Sequence, residues 1–111
     1  LGFSYLKKIM ANYNQTDITG TEYQRCFSVV INNALNQTPE IIFKEEKVFN
    51  LSSGRMSIGC GYCAKTYDEN ASFPILDLDT DMPIGETITD KKLYQILYSL
   101  YIKTANERDQ G

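Results

Sequence analysis

The chain has 111 residues, 42% of them hydrophobic and 23% charged, a balance that sustains one folded domain and excludes a disordered chain. It has no histidine, which excludes a Ser-His-Asp triad, a Cys-His dyad, a histidine zinc site and an imidazole pH switch. The net charge of −3 has the wrong sign for a surface held to phosphates, so nucleic acid is not an expected partner.

From the start, Leu6, Ile9, Met10 and Tyr13 recur at the helical period behind Ser4, which predicts a first helix over Gly2 to Tyr13. Asn12 to Gly20 is polar and reads as a loop. Thr21-Glu22-Tyr23-Gln24 has the capping-box form, and Tyr23, Phe27, Val30, Ile31, Ala34 and Leu35 then keep one apolar face. The spacing predicts a second helix from about 22 to 36. The β-branched Val29-Val30-Ile31 would suit a strand over Cys26 to Ile31 instead, but the cap favours the helix.

Ile41-Ile42-Phe43 and Val48-Phe49-Asn50-Leu51 flank the charged stretch Lys44 to Lys47, a pattern that predicts a hairpin. Ser52-Ser53-Gly54 is a turn cluster. Beyond it Met56, Ile58, Cys60 and Tyr62 alternate with Arg55, Ser57, Gly59 and Gly61, the clearest strand signal in the chain. The two glycines predict a bulge or a close backbone approach there rather than a stiff strand. Phe73 to Leu78 is a short strand that Pro74 restricts to a start or an edge, and Asp79 to Gly85 a turn. Thr89-Asp90 then caps a closing helix whose body is Lys91 to Asn106.

These elements predict a single α+β domain over residues 1–111, whole or as a piece of a longer chain. It has N-terminal helices, a central antiparallel sheet of three or four short strands, and a long C-terminal helix packed on the sheet. The longest apolar run, Leu93 to Ile102, falls far short of the roughly 20 residues that span a bilayer. No membrane span is expected.

Three cysteines, Cys26, Cys60 and Cys63, are too few and too odd in number for a disulfide scaffold. Buried or free thiols in a reducing compartment such as the cytoplasm are the expectation, with Cys26 in the core. Cys60-Gly61-Tyr62-Cys63 has redox spacing, but it lies in the alternating run rather than at the mouth of a helix. Four N-glycosylation sequons, at Asn14, Asn36, Asn50 and Asn70, would suit an extracellular chain instead.

Two features carry chemistry. Asp77, Asp79 and Asp81 stand at i, i+2 and i+4 past an apolar strand, and carboxylates so spaced can converge on a divalent cation, with Glu86 as a further oxygen donor. An EF-hand loop from Asp77 would need Gly and Glu where Met82 and Ile88 stand. The alternative to a metal is a polar turn whose aspartates hold backbone amides.

The closing helix is the second feature. Leu93, Ile96, Leu97, Leu100 and Tyr101 form one stripe, which Tyr94, Tyr98 and Ile102 widen. A surface helix needs only one apolar face. Either the helix is sandwiched inside the fold or another chain covers its Tyr94/Tyr98 edge, and on the second reading Tyr94, Tyr98, Tyr101 and Ile102 bind a protein partner or a second copy. The neighbouring residues 68–90 hold seven acids and no base. The sequence thus reads as a non-catalytic protein-interaction or assembly module without a cofactor. A divalent-metal-dependent enzyme or binding domain on the three aspartates is its rival.

Overall fold

The computed structural model describes residues 13–18 and 20–111. In chain order the elements are β1 (Tyr13–Ile18), β2 (Gly20–Asn32), β3 (Glu40–Leu51), β4 (Gly54–Thr66), β5 (Ser72–Leu76), β6 (Pro83–Thr89) and α1 (Asp90–Gln110). The class is α+β. The strands make a four-stranded antiparallel sheet in the order β1-β2-β3-β4 and a separate hairpin of β5 and β6. The chain divides into two units: the large sheet groups with Asp77–Asp81, and Tyr67–Leu76 groups with Met82–Gly111.

The predicted second helix is a strand. Along β2, Val29, Val30 and Ile31 stand opposite Phe43, Ile42 and Ile41 of β3, so β-branched residues meet aromatic and β-branched partners on adjacent rungs. Cross-strand pairing outweighs the capping pattern, and the Thr21 hydroxyl accepts from Asn50 Nδ2 at 3.3 Å. The predicted first helix lies outside the described residues except at Tyr13, which opens β1. The loop expected over Asn12 to Gly20 contains that strand.

No turn breaks β3. The charged run Lys44 to Lys47 stays extended within the ladder, where Glu46 and Lys47 find opposite charges on β2. Arg25 meets Glu46 at 2.9 Å and Lys47 meets Glu22 at 3.2 Å. The three main strands run to 12 or 13 residues, longer than the short strands expected. Ser52 and Ser53 link β3 to β4 in a tight hairpin, Leu51 facing Gly54.

Gly20 opens β2 at a φ of 106°, and a Cβ there would collide with the Asn50 carbonyl, so no other residue fits. The bulge expected in β4 is present: Gly59 and Gly61 pair with Glu46 and Glu45, leaving Cys60 between them. A matching shift in β2 leaves Phe27 between Cys26 and Ser28. Tyr23 and Val48 are neighbours on one face of the sheet and are buried, as is Ile41 on the other.

In the second unit β5 forms close to its expected bounds, and Pro74 stands opposite Thr87. The predicted turn over Asp79 to Gly85 is shorter, because Pro83 already pairs with Leu76. The closing helix begins as its cap requires. Thr89 is extended, its hydroxyl accepts the Lys92 N–H at 3.0 Å, and the Gly111 N–H returns to the Glu107 carbonyl.

Candidate functional site

The start of α1 is fixed by a buried carboxylate. Asp90 is 3% exposed and accepts the Asp68 N–H at 3.1 Å, while its own N–H donates to the Ala71 carbonyl at 3.1 Å. The two bonds tie the 68–71 turn to the first turn of the helix. There the carboxylate also suits the positive end of the helix dipole.

From that anchor the covered side of the helix runs mainly through its first two turns. Asp90, Leu93, Tyr94, Leu97 and Ala105 follow the helical period and are partly or wholly covered. The Tyr94 ring meets the edge of Tyr67, with centroids 4.9 Å apart and planes at 77°. Tyr98 and Tyr101 are 65% and 61% exposed, and Ile96, Leu100 and Ile102 are exposed with them. Of the four residues singled out for a partner, Tyr94 thus packs within its own unit. Tyr98, Tyr101 and Ile102 are exposed.

The aspartates form a turn between β5 and β6. Asp77 Oδ1 accepts the Asp79 N–H at 2.8 Å, the Thr80 N–H at 3.1 Å and the Thr80 hydroxyl at 3.4 Å. The Asp81 N–H closes the turn onto the Asp77 carbonyl at 3.0 Å, with Asp81 itself left-handed at a φ of 61°. The donated Asp79 amide, then that of Thr80, holds the Asp77 carboxyl below its ordinary pKa. A cation bound through Oδ1 would compete with those amides. The described residues gather no set of three Asp, Glu, Cys or His groups placed to hold a metal ion.

Cys60 and Cys63 are exposed free thiols on β4, and Cys26 is a half-buried one on β2. Cys60 lines an open groove of about 560 Å³ on the large sheet, with Phe27, Ile42, Lys44, Tyr62 and Ala64. No short-range spacing marks this groove, because it depends on the register and on the two facing bulges. Among the described residues no helix is long and apolar enough to cross a membrane. Comparison with protein-family models, curated proteins and solved structures finds no match to this chain.

Proposed function

We propose that the chain is a non-catalytic protein-interaction or assembly module that works through α1 and the acidic stretch beside it. The observation that carries this reading is a set of exposed aromatic rings on the helix. Tyr98 and Tyr101 stand at i+4 and i+7 from Tyr94, on the same side of α1, and are broadly exposed with Ile102 beside them, whereas Tyr94 and Leu97 are partly covered. Tyrosine suits such a surface because an apolar ring carries a polar tip, and aromatic anchors dominate protein interfaces. The exposed acids of the same unit, Asp68, Glu69 and Glu86, supply a field that steers a basic partner.

The test is Tyr98→Glu. The variant keeps its circular dichroism and melting temperature and weakens self-association or partner binding. Unfolding of the variant, or undiminished association, contradicts the reading.

A further inference from the structure

One line of side chains along α1 has the same spacing in both directions. Lys91, Gln95, Tyr98, Ile102, Ala105 and Asp109 follow one another at steps of four, three, four, three and four residues. That alternation keeps side chains in one seam where a helix meets another helix. Ala105 is half-covered and the other five are exposed. The seam is apolar in its middle, at Tyr98 and Ile102, basic at its start and acidic at its end.

A seam with this symmetry is self-complementary about a two-fold axis. Turned end for end against a second copy, it sets Tyr98 on Ile102, Gln95 on Ala105 and Lys91 on Asp109, each contact twice. We infer that two copies of the chain associate through α1 as an antiparallel helix pair along this seam. Charge sets the direction, because an in-register parallel pair would put Lys91 on Lys91 and Asp109 on Asp109. Antiparallel helices also bring opposite dipole ends together. Charge sets the seam as well. The neighbouring one through Tyr94, Tyr98 and Tyr101 would carry Lys91 onto Arg108, and Tyr94 already meets Tyr67. Within one copy Asp109 meets Arg108 at 2.9 Å, but these side chains are 66% and 72% exposed, so the pair is weak and leaves Asp109 open to Lys91 of a second copy. The inference rests on the reading of α1 as the interaction surface and names its partner as a second copy.

Equilibrium sedimentation of charge-reversed variants tests it. The wild type forms a dimer, and added salt weakens it because opposite charges are screened. Lys91→Glu and Asp109→Lys each turn two attractive contacts repulsive and weaken the dimer about fivefold to tenfold. Both substitutions suit the helix dipole, so neither acts by unfolding α1, and circular dichroism stays unchanged. The double variant Lys91→Glu/Asp109→Lys restores the dimer, and so does an equal mixture of the two single variants, because every contact again joins opposite charges. A wild type that stays monomeric, or single variants that keep the wild-type association, overturn the inference. A loss that neither the double variant nor the mixture repairs overturns it too. Association that Tyr98→Glu leaves undiminished removes α1 as the surface and the helix pair with it. Association that Tyr98→Glu weakens but both single charge variants keep removes the helix pair alone.

Discussion

Asp90 and Asp68 are both acids, yet they meet through a carboxylate and a backbone amide. The Asp90 carboxylate accepts the Asp68 N–H at 3.1 Å from a position only 3% exposed. Removing the acceptor leaves a part-buried donor unsatisfied. Asp90→Ala should therefore lower the stability of the unit that holds α1 by about 1–3 kcal/mol, measured by urea denaturation. Asp90→Asn, which keeps an acceptor oxygen, should lose less.

Tyr94 and Tyr98 sit one helical turn apart and should respond in opposite ways. Tyr94→Leu removes the edge-to-face contact with Tyr67 and should cost about 0.5–1.5 kcal/mol in thermal or urea melts. Tyr98→Ala should change stability by less than about 0.5 kcal/mol, as exposed substitutions do.

Asp77 should act through its carboxylate. Asp77→Ala removes the acceptor for two amides and should loosen the β5–β6 turn, seen as faster hydrogen exchange at the Asp79 and Thr80 amides. Asp77→Asn should keep most of their protection. The native pKa lies below the ordinary carboxyl value, so the contribution is fully present above that value and is lost as pH falls through the lowered one. Amide protection at Asp79 and Thr80 should therefore persist at neutral pH and decline in acid, and in Asp77→Asn the decline should be absent.

Gly20 should tolerate no side chain. Gly20→Ala brings a Cβ against the Asn50 carbonyl at a φ of 106° and should destabilise the large sheet by about 1–3 kcal/mol in urea melts. Gly61→Ala, also at positive φ but with open space around it, bears only the backbone strain and should cost less.

What was legible in the sequence was local. The Thr89 cap, the alternation from Arg55 to Tyr62 and the Ser52-Ser53 turn each depend on neighbours a few residues apart, and each took the expected form. The capping box at Thr21 failed because Val29 to Ile31 answer to Ile41 to Phe43, a pairing that short spacings do not reveal. The polar break at Lys44 to Lys47 misled for the same reason, since its charges find Glu22 and Arg25 some twenty residues away. At the candidate site the apolar breadth of α1 was visible. Which edge of it packs inward was not, because that depends on Tyr67, which meets Tyr94 from 27 residues upstream.

The most direct test of the central claim is equilibrium sedimentation of the wild type and Tyr98→Glu, each alone and with protein captured from the natural source. The account predicts a defined complex, of two copies or with a captured partner, that Tyr98→Glu weakens while its circular dichroism stays unchanged. A wild type that remains a bare monomer under both conditions, or a complex that Tyr98→Glu leaves intact, would contradict it.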